Sequence, residues 1–393
     1  MTMAREPKVK LSTRVKPFIG DGDQHIYEPK DMWTSRVSAK WKDLVPQVVP
    51  MPYGGDGWRW EGGKWYQAMG LEVGAGRAYT DIKHYGHSFV TTRRGCYEPK
   101  ERLKDMDIDG VDKAIVFPSV GMRMRNTTDR ELMLVMEHAY NEGIWEWCSE
   151  GDMDRLIPLF VLPDSGTEDA IGEFETCVKR GFKSFMFMGF PQRGGYPDPA
   201  DDKIWARCQE AGIPACLHTG GPQAPDRAPF DNTDMNKPPT RLADIIGPGK
   251  SVAKGYVITW MTLTGVFERF PKLKLALVET GSGWLPFYYE QIDSFFYKNR
   301  TVEPFNKLSK PPSQYLKEQM WTTIMVDTYA IRNRHQIGVD KLMWSSDYPH
   351  SGYGSEFPNS RLFIEYQFRG VPDDELRKML GMNFNDMLGL PNN

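Results

Sequence analysis

Two histidines of this 393-residue chain sit where an apolar run gives way to polar residues, and acidic side chains stand at the equivalent places of other runs. Asp23-Gln24-His25 puts an Asp and a His at alternate positions, so both side chains share one face of an extended segment. His218 closes the run Ile213 to His218, Glu279 closes Leu273 to Glu279, and Asp347 follows Lys341 to Ser346. Imidazole and carboxylate donors without a thiolate suit a divalent Zn, Fe or Mn. An ion so held activates a bound water or polarises a carbonyl. Each signal is weak alone: a His after an apolar run is ordinarily a hydrogen-bonded residue, and Ser346-Asp347-Tyr348-Pro349 reads equally well as a turn. Their joint placement at strand ends is what points to a metal.

Bringing those side chains together needs a scaffold. Lys113 to Pro118, Leu156 to Leu162, Phe182 to Met188, Ile213 to His218, Leu273 to Glu279, Trp321 to Val326 and Lys341 to Ser346 each read as a strand buried on both faces. Helical periodicity fills the intervals at Thr127 to Glu150, Glu168 to Arg180, Asp201 to Ala211, Val252 to Phe270, Trp284 to Phe296 and, more briefly, Ala330 to Ile337. Gly181 and Gly212 stand where helices end. An eighth strand, Val15 to Gly22, completes the number at which parallel βα units close into a barrel. The expected fold class is therefore α/β, a (β/α)8 TIM barrel over residues 1–393 as one domain. Two stretches interrupt it. Val45 to Arg94, rich in Gly, Trp, Tyr and Pro, is an insertion after strand 1, irregular or a small β element, and Pro222 to Lys250 is a long loop after strand 5. Both follow strand C-termini, where barrel active sites are built.

Composition excludes several functions. Lys and Arg number 49 against 52 Asp and Glu, a net charge of −3, so no basic surface for nucleic acid is indicated. No window approaches the roughly 18 uncharged apolar residues of a membrane span, and Met1 to Lys16 has no apolar signal core. A soluble, cytoplasmic protein is expected. The five cysteines are scattered and in no CxxC pattern, which reads as reduced thiols. His84 and His87 read as surface residues of the insertion, and His138 and His335 as structural.

In combination, Asp23-x-His25-x-x-Glu28-Pro29, the stretch Arg94-Gly95 through Arg102-Leu103-x-x-Met106-Asp107-x-Asp109-Gly110-Val111-Asp112, His218-Thr219-Gly220, Glu279-x-Gly281-x-Gly283-Trp284-Leu285-Pro286 and Ser346-Asp347-Tyr348-Pro349-His350 resemble the amidohydrolase-related branch of the amidohydrolase superfamily. That branch also contains non-oxidative decarboxylases of aromatic acids. The resemblance spans roughly residues 15 to 390 outside the two insertions. It implies a distorted (β/α)8 barrel with a divalent metal at its C-terminal mouth, and His25, His218 and Asp347 match the metal positions. Two departures stand out: the usual His-x-His is Asp23-x-His25, and the usual sixth-strand His is Glu279. Lys183 begins the fourth strand rather than ending it, so it does not match a carboxylated bridging lysine.

Convergence of Asp23, Glu28, Glu279 and Asp347 would gather about −4 in a low-dielectric mouth. One divalent ion leaves about −2 and two reach neutrality, so two ions are favoured, with Glu28 a less secure ligand than the others. The leading expectation is a metal-dependent hydrolase of an ester, thioester, amide or lactone of a bulky, largely apolar small molecule. In it Asp347 shuttles the proton of the activated water, His350 assists, and Arg93 and Arg94 clamp an arriving anion. The alternative is a metal-dependent non-oxidative decarboxylase of an aromatic or unsaturated carboxylic acid, against which Glu28 and Glu279 would repel the substrate carboxylate. A non-catalytic binding barrel is the second alternative, and a homodimer the expected assembly.

Overall fold

The computed structural model describes residues 17–127, 129–187, 189–192, 196–219, 235–236, 254–350 and 356–392. In chain order β1 (Gly20–His25) precedes three strands of the insertion, β2 (Gln47–Pro50), β3 (Asp56–Trp60) and β4 (Trp65–Ala68). Then come β5 (Lys113–Phe117), β6 (Leu156–Pro158), β7 (Phe160–Leu162) and β8 (Phe185–Phe187). β9 (Ala215–His218), β10 (Leu275–Val278), β11 (Met320–Ile324) and β12 (Leu342–Trp344) complete the set. β6 and β7 are separated by Leu159 alone, so the strands outside the insertion form eight parallel units in the order β1-β5-β6 and β7-β8-β9-β10-β11-β12. The circuit closes beyond the end of β12. Asp347 N donates to Asp23 O at 2.8 Å and His25 N to Tyr348 O at 2.6 Å, around one parallel bridge between Gln24 and Tyr348. The fold is a distorted (β/α)8 barrel in which this bridge stands in for a full closing ladder.

Strands β6 through β12 are buried along their whole length, which is why their sequences are near-continuous apolar runs. β1 is just as buried and almost wholly polar, Gly-Asp-Gly-Asp-Gln-His. Between strands lie α1 (Pro99–Asp109), α2 (Arg130–Glu150), α3 (Thr167–Arg180), α4 (Asp202–Ala211), α5 (Gly255–Leu263) and α6 (Leu285–Asn299). The Asp129 side chain caps α2 by accepting from Leu132 N, and Gly181 and Gly212 end α3 and α4 in left-handed conformation.

Two expectations change, and the expected insertion takes the second of the two forms allowed for it. The first strand starts at Gly20 rather than Val15, because its register is set by pairing Gly20 with Lys113 and by the Phe384 ring, which leaves no room for a Cβ at Gly20. Asp23 and His25 therefore lie inside the strand rather than after it, beyond a shift of register between Asp21 and Gln24. The helix expected over 252–270 is divided: α5 stops at Leu263 and Gly265, at φ 78°, starts a separate turn, Val266–Arg269. The insertion is a small antiparallel sheet, β2-β3-β4. It packs on the barrel through Tyr27, Trp33, Trp58 and Phe89, whose rings meet edge-on or tilted at 5.3–6.3 Å. The loop expected over 222–250 lies outside the described residues except at 235 and 236. All five cysteines are buried and free. Among the described residues no helix is long and apolar enough to cross a membrane.

Arg102 on α1 is fully buried and ties the first strand's end to the chain entering that helix. Its guanidinium donates to Gly95 O at 2.7 Å and His25 O at 2.6 Å, reaches Gln24 Oε1 at 3.3 Å and Cys96 O at 3.4 Å, and stacks 4.4 Å above the Tyr348 ring. Arg102→Leu strands several buried acceptors, so the unfolding free energy in urea is expected to fall by about 3 kcal/mol or more. A loss below about 0.5 kcal/mol would show that water satisfies those carbonyls instead.

Candidate metal centre

Three strands deliver four side chains to one spot. Asp23 and His25 come from β1, His218 from the last residue of β9, and Glu279 from just past β10, where the Val278–His218 pairing sets it beside β9. Ligand atoms of these four lie within 4.8 Å of one another, and His25, Asp347 and His350 form a second, overlapping group. His25 Nε2 is 3.2 Å from His218 Nε2, 3.3 Å from Asp23 Oδ1 and 3.5 Å from Asp347 Oδ1. His218 Nε2 is 3.1 Å from Glu279 Oε2 and 3.5 Å from Asp23 Oδ1. Glu279 and Asp347 both sit in the left-handed region, at φ 55° and 58°, a strained conformation for residues with a Cβ and one that concentrates at functional sites.

Protons are scarce at this spot. His25 Nδ1 lies 2.8 Å from Pro118 O, a carbonyl that can only accept, so Nδ1 carries a proton and Nε2 is the ring nitrogen turned to the cluster. Burial drops the His218 imidazole to about 4 despite the Asp23 charge. Both oxygens of Asp23 are buried without a hydrogen-bond partner. Burial acts to raise the Asp23 carboxyl, but the facing imidazoles, His218 foremost, outweigh it and hold Asp23 well below the usual range. Burial, and then the Asp23 charge, push Asp347 well above it. Imidazole nitrogens and orphaned carboxylate oxygens buried together are unfavourable with one another and favourable around a cation, so the donor set fits a divalent metal.

His350 completes the spot from the turn after β12. Its Nδ1 is 2.9 Å from Asp347 Oδ1, its Nε2 is 3.1 Å from Ser119 Oγ, and its ring stacks on His25 at 3.9 Å. Glu28 is placed elsewhere than the four-carboxylate count assumed. Its oxygens accept the N–H groups of Ser119, Val120 and Gly121 at 3.1, 3.0 and 2.9 Å, and it belongs to neither ligand group. Burial pushes it up to about 7, against the pull of those N–H groups. The clamp expected from Arg93 and Arg94 is filled from within: Arg93 gives a two-pronged contact to Asp105, and Arg94, exposed, pairs with Glu98. His87 corrects another expectation. It is buried at the insertion's base, where desolvation lowers it to about 4, whereas His84 is exposed.

Two residues of the site escaped sequence reasoning. Asp21 accepts from Ser346 N and Oγ at 2.9 and 2.5 Å and from Gln24 Nε2 at 2.9 Å, and so fastens the turn bearing Asp347 to β1. Its only signal was the alternation of Asp21, Asp23 and His25 in sequence, and the shift of register between Asp21 and Gln24 breaks the shared face that such alternation implies. Ser119, beyond the end of β5, left no comparable mark.

A parallel barrel with an imidazole–carboxylate cluster at the C-terminal ends of its strands is the architecture of a metal-dependent enzyme. The amidohydrolase family profile matches residues 25–390, and the chain belongs to that family. It is similar to a 2-amino-3-carboxymuconate-6-semialdehyde decarboxylase of Dictyostelium discoideum, 23% identical over 316 residues that cover 78% of this chain and 81% of the relative. The fold matches an amidohydrolase from Mycobacterium avium subsp. paratuberculosis K-10 with a TM-score of 0.73 at 20% identity, covering 96% of this chain and 99% of the other. It also matches a dihydroxybenzoic acid decarboxylase from Polaromonas sp. JS666, solved with manganese and 2-nitroresorcinol, with a TM-score of 0.62 at 16% identity, covering 96% and 98%. These findings overturn the expectation of a hydrolase: both of these proteins whose reaction is named are decarboxylases, as in the alternative reading. Superfamily, fold and a divalent metal stand.

His218→Ala is expected to leave the circular dichroism spectrum unchanged while metal content, read by elemental analysis after gel filtration, falls about tenfold or more. A variant that retains the full complement would place the ion elsewhere.

Proposed function

We propose that the protein is a metal-dependent, non-oxidative decarboxylase of a small aromatic or unsaturated carboxylic acid. The observation that carries this reading is the position of Glu28. The electrostatic objection to a substrate carboxylate rested on Glu28 and Glu279 both facing the mouth, and the Glu28 carboxylate is instead turned onto three backbone N–H groups. With Asp347 holding the proton it is to deliver, the charge to be offset is then that of Asp23 and Glu279, which one divalent cation neutralises. A single ion held by Asp23, His25, His218 and Glu279 therefore replaces the two favoured from sequence. Manganese, as in the Polaromonas structure, suits these hard oxygen and borderline nitrogen donors.

A cation held by these four residues would supply a Lewis acid for the substrate carboxylate. The chain's own groups manage the proton. Asp347 stands at the rim of the ligand group, its Oδ1 3.5 Å from His25 Nε2 and 2.9 Å from His350 Nδ1. It delivers a proton to the carbon that bears the carboxylate. The new C–H bond forms, the C–C bond breaks, and its electron pair returns to the ring or alkene as carbon dioxide leaves. His350, braced by Ser119 and by stacking on His25, keeps the Asp347 carboxyl aimed.

Assays with dihydroxybenzoic acids and carboxymuconate semialdehydes in deuterated water are expected to release carbon dioxide and to place one deuterium on carbon. Incorporation of labelled water oxygen into a product acid, without gas release, would reinstate hydrolysis. Asp347→Asn is expected to lower kcat by about 100-fold or more with a smaller change in KM, since it acts in the transition state. Wild-type turnover by that variant would remove Asp347 from the chemistry.

A further inference from the structure

We propose that Glu28 is a positioning residue of the metal centre, holding the loop 118–121 so that one carboxylate fixes both His25 and His350. The inference rests on the metal-centre reading above, and its metal-binding arm is independent of the reaction. Three successive N–H groups, of Ser119, Val120 and Gly121, converge on the buried Glu28 carboxylate, a nest of donors around an anion. The same loop meets the site through its other groups. Pro118 O accepts from His25 Nδ1 at 2.8 Å, and Ser119 Oγ pairs with His350 Nε2 at 3.1 Å. Each imidazole is thus oriented from its far nitrogen by a group that Glu28 holds in place.

The local sequence fits that task. At Gly121 a Cβ would come within 2.8 Å of the Pro118 ring and 3.3 Å of Glu28 Oε1, so only glycine lets the loop close on the carboxylate. Glu28 also lies three residues past His25, so the loop is fastened twice to one short piece of chain, by its carbonyl to His25 and by its N–H groups to Glu28. Fixing the donor bond at Nδ1 settles which His25 nitrogen faces the ion, and loss of such an orienting partner characteristically costs about 10- to 100-fold in metal affinity or activity.

Manganese-loaded enzyme tests the proposal through two branches. Glu28→Gln turns one acceptor into a donor that faces an N–H, so Mn²⁺ affinity, read by chelator competition, is expected to weaken about 10- to 100-fold, with kcat falling alongside. Glu28→Asp, which keeps the charge and both oxygens on a shorter arm, should lose less in both and serves if the Gln variant fails to fold. Ser119→Ala cuts only the branch to His350: kcat should fall while Mn²⁺ affinity stays at wild type, and in a His350→Ala background it should have no further effect. Wild-type Mn²⁺ affinity in both folded Glu28 variants overturns the inference. So does an equal effect of Ser119→Ala with and without His350. If no decarboxylation is found but Mn²⁺ affinity falls as stated, the functional reading fails and the positioning role stands.

Discussion

Two imidazole Nε2 atoms 3.2 Å apart, both facing a buried Asp23 carboxylate that lacks a hydrogen-bond partner, impose the constraint on which this structure depends. His25 gives its Nδ1 proton to Pro118 O, and burial disfavours a charge on His218. Without a cation the arrangement crowds electron-rich nitrogen and oxygen atoms that burial keeps from water, and their mutual repulsion is costly. A divalent ion converts that repulsion into ligation. Stability and function are therefore joined at one point, and the surrounding fold can be read as the means of keeping donors together that would otherwise separate.

Three fastenings do this, and all converge on the end of β1. Asp21 holds the Ser346 end of the eighth strand unit, Arg102 gathers the carbonyls of His25, Gly95 and Cys96, and Glu28 gathers the loop after β5. Because the barrel closes between its first and last units by one bridge instead of a ladder, the backbone there gives little restraint, and side chains supply it. The strained backbone at Glu279 and Asp347 belongs to the same arrangement. Each residue is turned out of strand geometry at the point where its carboxylate must face the cluster.

Much of this was legible in the sequence because apolar burial on both faces of a parallel strand writes itself as an unbroken run. The seven strands after the insertion were visible for that reason, and His218, Glu279 and Asp347 could be read as their ends. β1 was misplaced because its residues are buried for polar reasons: a Gly-Asp-Gly-Asp-Gln-His strand carries no hydrophobic period, and only its alternation of Asp, Asp and His marks it. The direction of Glu28 was not legible either. Nothing in Asp-x-His-x-x-Glu distinguishes a carboxylate that turns to an ion from one that turns to three backbone N–H groups, since those donors come from residues about 90 positions away. The division of the helix over 252–270 rested on a single glycine, which a periodicity argument tolerates.

That one undetermined direction also separates the hydrolase expected from sequence from the decarboxylase proposed above. Hydrolysis and decarboxylation on this barrel draw on the same imidazoles and carboxylates, and they differ in what charge the mouth can accept and in which way the proton travels. Counting four acids makes the mouth hostile to an anionic substrate and casts Asp347 as a base. Turning Glu28 away removes one of those charges. Asp347 is meanwhile kept toward its acid form by burial and by its neighbour Asp23. Both changes run in the same direction, toward the proposed reaction, in which a carboxylate is admitted and a proton is returned to carbon. The identities of the residues are unchanged between the two readings, and the hydrogen-bond partner of a single glutamate tips the balance between them.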